Sequence, residues 1–407
     1  MGITKEKMPH TSNRLSPGPG QRIRATRRGF IKRAMCAAAA VPLLSGASGR
    51  VGKAVEGRRV CYVGWQVGVT YQSGRPQGLD RDYFLRLLDE MASRRMNLLS
   101  LMMLSYGCYE PEHDGYAWPV RNRALQYYQD SYCVNGRKET EFIREIIGAA
   151  GERRIEVQLF LNWGIWNPEK MRLGYPSALV QTNREGQSGG WLHCPDSPGG
   201  WQAGLDEVQD MLEFYNQPNV KGFAFERISY QSRNYCYCPK TRARFHSDTG
   251  GDLATAGDKR ADAWKKEHIG GLIAGYVRHV RRIRPGLSIG LHTQCAPGWG
   301  HDAARLQSHG IDVLLPHTIQ FQETEESLHA LLRRLEPNPC LLHFCTRDKR
   351  PANYNLWIKT PEIIKQAFEW ILRYPGDNLA GFLFFNEPAT SVANKDAVYE
   401  NLKRFDW

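Results

Sequence analysis

Two glutamates stand where chemistry is to be expected. Glu226 follows the apolar run VKGFAF inside Val220–Tyr230, and Glu387 follows LAGFLFFN. Runs of this length and make-up suit strands buried on both faces. A charge at the end of such a strand is costly unless it is paired or put to use. Two carboxyl groups facing one another can cleave an acetal. One protonates the leaving oxygen, while the other stabilises the positive carbon or activates water. Glu226 is therefore expected as general acid/base and Glu387 as nucleophile or second base. A carboxyl separation of about 5 Å would mean retention and roughly 6.5–9.5 Å inversion, and the expectation leans to inversion. Asn386 could orient Glu387, and Asp348 is a further candidate carboxylate. The opposing reading makes each glutamate half of a structural ion pair, Glu226 with the adjacent Arg227.

Aromatic and imidazole side chains crowd the same strand ends. Trp65, Trp118, Trp163, Trp166, Trp191, Trp299 and Trp357 all fall in or beside segments that follow strands. Flat rings pack on the C–H faces of sugars, and polar groups such as Asn162 and Tyr230 can take the hydroxyls. Taken singly, each tryptophan could simply pin a loop. His292, His317 and His343 close three successive apolar runs (GLHT, LPHT, LLHF). They are expected to line the mouth and bind substrate. The alternative is that they ligate a divalent metal with a carboxylate, giving a metal-dependent sugar isomerase or hydrolase. The main reading calls for no cofactor and no metal.

Eight strand–helix pairs must position these groups. The strands are read at Val60–Val67, Asn97–Leu104, Ile155–Trp163, within Val220–Tyr230, and at Leu287–Thr293, Ile311–His317, Cys340–Cys345 and Leu379–Phe385. Helical spacing follows each, as in Asp80–Ala92, with Asp80 as N-cap and Tyr83, Phe84, Leu87, Leu88 and Met91 recurring at helical spacing. Helix-to-strand links are short, whereas strand-to-helix links such as Ser105–Lys138, Gly164–Gly200, Gln231–Ala261 and Arg347–Thr360 are long. Parallel strands joined by helices, with long loops on one side, predict a single-domain (β/α)8 TIM barrel. Its active site would lie at the C-terminal mouth. An open doubly wound sheet is disfavoured, because no glycine-rich phosphate loop follows the first strand.

The chain has 407 residues and a formal net charge of +12. Residues 1–50 hold ten Lys/Arg and a single acid, Glu6, so the remainder carries only +3. That balance gives no basic face for nucleic acid. The leader contains TRRGFIK (Thr26–Lys32), then the apolar Ala34–Leu44 and small residues. It resembles a twin-arginine export signal. The resemblance implies use of the twin-arginine machinery, cleavage near Ser48, and a periplasmic or extracellular location. The apolar stretch is too short to span a bilayer, so no stable membrane insertion after cleavage is expected. Residues 1–48 are assigned to the signal and leader, and 49–407 to the barrel. Nine of the ten cysteines follow the leader, an odd number that cannot pair completely. Cys236 and Cys238 lie in one loop, where a disulfide to Cys194 or another loop cysteine could form after export.

With these residues in hand, the barrel resembles the glycoside hydrolase superfamily. The segment FERISYQSRNYCYCPKTRARF (Phe225–Phe245) is similar to one in glycosyl-hydrolase-like barrels, where an acid after the fourth strand precedes a Cys-x-Cys-x-x-Cys run. Cys236 and Cys238 match, and Thr241 takes the third place. The triplet Asn386-Glu387-Pro388 resembles the acid/base motif of the large retaining clan, but follows the eighth strand instead of the fourth. The resemblance implies a glycoside hydrolase acting on an oligo- or polysaccharide. A barrel that binds sugar without catalysis is the other expectation.

Overall fold

The computed structural model describes residues 58–69, 80–105, 115–129, 141–162, 168–226, 228–296, 298–318, 323–348, 358–385 and 387–407. The leader, Trp163, Trp166, Trp357, Arg227 and Asn386 lie outside them, as does the side chain of Trp191.

Eight parallel strands form a closed ring. They are β1 (Tyr62–Gly68), β2 (Leu98–Met102), β3 (Glu156–Asn162), β4 (Val220–Glu226), β5 (Ser288–His292), β6 (Val313–Leu314 and His317–Thr318), β7 (Cys340–Cys345) and β8 (Leu379–Phe385). Each pairs with the next, and β8 pairs with β1 to close the ring. The predicted (β/α)8 barrel is the observed architecture. β6 is broken at Pro316, which has no N–H to give the ladder.

The longer helices are α1 (Arg81–Ser93), α2 (Glu141–Glu152), α3 (Pro198–Phe214), α4 (Pro239–Thr249), α5 (Asp258–Ile283), α6 (Glu325–Leu335), α7 (Pro361–Arg373) and α8 (Val392–Leu402). Their starts carry the expected caps. The Asp80 carboxylate accepts from Tyr83 N at 2.7 Å, and Thr324 and Ser327 form a reciprocal capping box before α6. α4 is an extra helix in the loop after β4. No described helix is long and apolar enough to cross a membrane.

Strand period sorts side chains into two cores. Outward residues such as Phe223, Phe225, Phe382 and Phe384 pack under the helices, with the Phe225 and Tyr276 rings 5.0 Å apart. Inward residues Leu98, Phe160, Ala224, Val313, Leu315, Leu341 and Leu383 form a separate cluster that fills the lumen. Small residues make room for the large ones. A Cβ on Gly290 would stand 2.5 Å from Leu315 Cδ1. Above this plug the lumen turns polar, and there the site begins.

Candidate active site

Glu226 ends β4 on its inward face and is 5% exposed. Register places Asn162 of β3 on one side of it and His292 of β5 on the other. His292 Nδ1 lies 3.5 Å from Glu226 Oε2. The far nitrogen, Nε2, lies 3.1 Å from His343 Nδ1, and His317 Nδ1 lies 3.1 Å from that same His343 atom. The three strand-end histidines thus meet in one group beside Glu226. Burial first, and then the neighbouring His292, holds the His343 imidazole far below the ordinary histidine range, so it is neutral at pH 7.

A polar ladder orients the group from below. His343 Nε2 donates to Gln66 Oε1 at 2.7 Å. Gln66 Nε2 reaches Ser100 Oγ at 3.4 Å, and Ser100 Oγ donates to Gln158 Oε1 at 3.1 Å. These three residues face inward on β1, β2 and β3. The sequence reading did not select Gln66, although an amide inside the run YVGWQVG was the available signal. Asn162 is fully buried, with its Oδ1 unpaired and its Nδ2 3.5 Å from Met102 Sδ.

Solved structures of similar shape are glycosidases. The glycoside hydrolase domain of PgaB (BpsB) from Bordetella bronchiseptica superposes with a TM-score of 0.61 at 12% identity, over 85% of this chain and 99% of that one. A β-galactosidase from Bacillus circulans sp. alkalophilus gives 0.57 at 11% identity, over 86% of this chain and 56% of the other. A β-galactosidase from the Antarctic haloarchaeon Halorubrum lacusprofundi gives 0.57 at 12%, over 83% and 57%. The shared fold is the (β/α)8 barrel. This chain spans little more than half the length of the two β-galactosidases. No sequence-family profile matches the chain, and no curated protein matches it in sequence.

The other expected site residues among those described take the following places in the barrel. Glu387 sits in a 3-10 turn past β8, 4% exposed, and its carboxylate is ion-paired with Lys395 of α8. Lys395 also reaches Glu90 of α1 at 3.3 Å, and Tyr399 donates to Glu90 at 2.6 Å. That network ties Glu387 to α8 and α1. Trp65 is corrected as a substrate-binding residue. It is fully buried outside the ring, 5.4 Å from the Phe384 ring, because the period of two gives the lumen to its neighbour Gln66. Tyr230 is buried in the loop layer, with its hydroxyl 3.3 Å from Asp196, and does not line the mouth. Trp118 pins its loop by donating to Asp210 at 2.8 Å. Trp299 is half-buried; its carbonyl accepts from Tyr230 N at 2.9 Å, and its ring is 6.2 Å from that of His301. The crossing of these two loops needs Gly298 at φ +80, where a Cβ would stand 2.2 Å from Arg233 N. Asp348 is half-buried three residues past β7.

The cysteines assemble a second cluster in that loop layer. Cys194, Cys236 and Cys238 are all buried with their sulfurs within 4.8 Å of one another. Cys194 and Cys238 Sγ are 3.3 Å apart, and Thr241 Oγ1 lies 3.3 and 3.4 Å from them. Thr241 thus occupies the place held by the third cysteine of the resembling run. Hydrogen bonds from Cys194 and Cys236 draw Cys238 towards the thiolate, whereas burial pushes Cys194 up. Cys238 also caps α4, a position that favours negative charge.

Proposed function

We propose that this chain is a carbohydrate-active enzyme that hydrolyses O-glycosidic bonds in an oligo- or polysaccharide, with Glu226 as the proton donor. The observation carrying this reading is the buried Glu226 carboxyl at the C-terminal mouth of a barrel whose structural neighbours are glycosidases. Glu226 in its protonated form gives its proton to the leaving oxygen. The carboxylate that results faces His292 Nδ1, an N–H donor able to hold the new charge. With Glu387 held by Lys395, Asp348 is the second carboxyl of the reaction, stabilising the sugar carbon or activating water. Asn162, His317 and Trp299 are the groups to meet substrate hydroxyls and ring faces.

Purified protein is to be incubated with a panel of α- and β-linked oligosaccharides, and released reducing ends measured. Glu226→Gln should lower kcat about 10²- to 10⁴-fold, the usual contribution of a general acid, with an unchanged melting temperature. Turnover equal to that of the unsubstituted protein would remove Glu226 from the mechanism.

We propose also that residues 1–48 direct export of the folded barrel through the twin-arginine machinery. The motif around Arg27 and Arg28 supports this. Replacing both arginines by lysine should keep the protein, and a reporter fused after Ser48, in the cytoplasm. Continued export of that variant would exclude the route.

A further inference from the structure

We propose that His292, His317 and His343 form a binding site for a divalent transition-metal ion, with zinc as the best-suited class, at the C-terminal mouth of the barrel. The inference goes beyond glycoside hydrolysis and stands on the disposition of the ring nitrogens.

The ligand atoms of the three rings lie within 4.8 Å of one another. His343 Nδ1 is 3.1 Å from His292 Nε2 and 3.1 Å from His317 Nδ1. A tetrahedral ion with Zn–N bonds of 2.0–2.1 Å holds its donor nitrogens roughly 3.3 Å apart. Two of the three separations are therefore already near the spacing that such an ion imposes, and the third is within 4.8 Å.

The tautomers point the same way. His343 Nε2 donates to Gln66 Oε1, so Nδ1 carries the lone pair. The ladder Gln66–Ser100–Gln158 keeps the Gln66 amide in that orientation. One in-plane lone pair faces two neighbouring ring nitrogens at equal distance. It can accept one good hydrogen bond, which leaves the other close approach uncompensated. An ion at the centre of the three satisfies both approaches together. On the outer side, Glu226 Oε2 lies 3.5 Å from His292 Nδ1 and favours the proton there, exposing the Nε2 lone pair to the centre. A carboxylate behind one ligating imidazole and an amide oxygen behind another are the partners that metal-bound histidines ordinarily have. His292 and His343 are buried while His317 is half-exposed, which leaves the ion an approach from the mouth. A set of three imidazole donors suits zinc, cobalt, nickel or copper better than magnesium or calcium. A fourth position stays open to water or another oxygen ligand.

The thiol cluster at Cys194, Cys236 and Cys238 is a competing site, so the test separates the two. Full-length protein carrying Cys194→Ser and Cys238→Ser is stripped with chelator and titrated with Co2+, and the visible d–d absorption is followed. One equivalent bound in tetrahedral form is expected, with binding at least tenfold weaker when His317→Gln is added. The unsubstituted protein gives the same answer by a second route should the serine variant not fold. There, sulfur-to-cobalt charge transfer in the near-ultraviolet reports the thiols, and d–d absorption without it reports the imidazoles. No uptake, uptake through sulfur alone, or uptake unaffected by His317→Gln overturns the proposal. No substrate enters the measurement, so its failure leaves the glycosidase reading to its own sugar-release assay.

Discussion

The carboxylate of Glu387 and the ammonium of Lys395 are paired between the turn after β8 and helix α8. Glu387 Oε2 has no hydrogen-bond partner among the described residues, whereas Lys395 keeps a second acid, Glu90, at 3.3 Å. The lysine thus links the end of β8 to α1 through two acids. Glu387→Gln should destabilise the fold by at most about 3 kcal/mol, with the Glu90 contact reducing the loss. Turnover per folded molecule should stay within about tenfold, far from the loss expected on replacing a catalytic carboxyl. Urea unfolding measured alongside sugar release checks this. A stable but inactive Glu387→Gln protein would return the residue to the catalytic set.

Trp65 makes a second contrast between packing and binding. Its ring is fully buried against Phe384, and Lys395 Nζ stands 6.0 Å from the ring centroid. Truncation to alanine should cost about 3–5 kcal/mol in unfolding free energy, as for other large core aromatics. Trp65→Phe should keep the affinity for whichever oligosaccharide the protein cleaves. A clear loss of affinity in that milder variant would place the ring in contact with sugar after all.

These two residues show what the sequence can and cannot convey. The barrel was legible because strands buried on both faces read as unbroken apolar runs, and helices between them show a period of 3.6. The same unbroken run hides which face each residue takes. Nothing in YVGWQVG alone says that Gln66 rather than Trp65 enters the lumen. Glu226 and the three histidines were found because each lies at or near the C-terminal end of its apolar run, where the mouth must be. Glu387 lies in a 3-10 turn past β8, where the strand period no longer tells which way a side chain points. The meeting of Cys194 with Cys236 and Cys238 depends on the hairpin Val180–Thr182 and Ser188–His193 folding back over the loop after β4. That contact is long-range and leaves no periodic trace.

Gln66 offers a test of the ladder beneath the histidines. In Gln66→Leu the His343 Nε2–H would face an apolar side chain in a site closed to water. Leaving a buried donor unpaired costs about 1–3 kcal/mol, and the unfolding free energy should fall by that amount. Gln66→Glu keeps an acceptor at the same place and should separate the missing bond from any change of shape. Equal stability in the leucine variant would show that the 2.7 Å contact does not hold the ring.

Acid sensitivity follows from two further buried imidazoles. His301 Nε2 donates to Ile228 O at 2.9 Å, and its Nδ1 accepts from Thr293 Oγ1 at 2.6 Å, so it ties the loop after β4 to the end of β5. Burial pushes the His301 imidazole down to about 4 and that of His193 down to about 3. In the unfolded chain each takes its proton near about 6.5. Between those values the unfolded state binds more protons, so native stability rises with pH. The contribution is complete above the unfolded value and is lost as pH falls from about 6.5 towards about 4 for His301. Each group adds up to about 1.4 kcal/mol per pH unit within that window. Urea midpoints recorded at successive pH values from 7.5 to about 4.5 should therefore decline. His301→Gln, which can still bond Ile228 O or Thr293, should show a slope shallower by one proton's share. The same slope in both proteins would mean that His301 does not titrate between the folded and unfolded states.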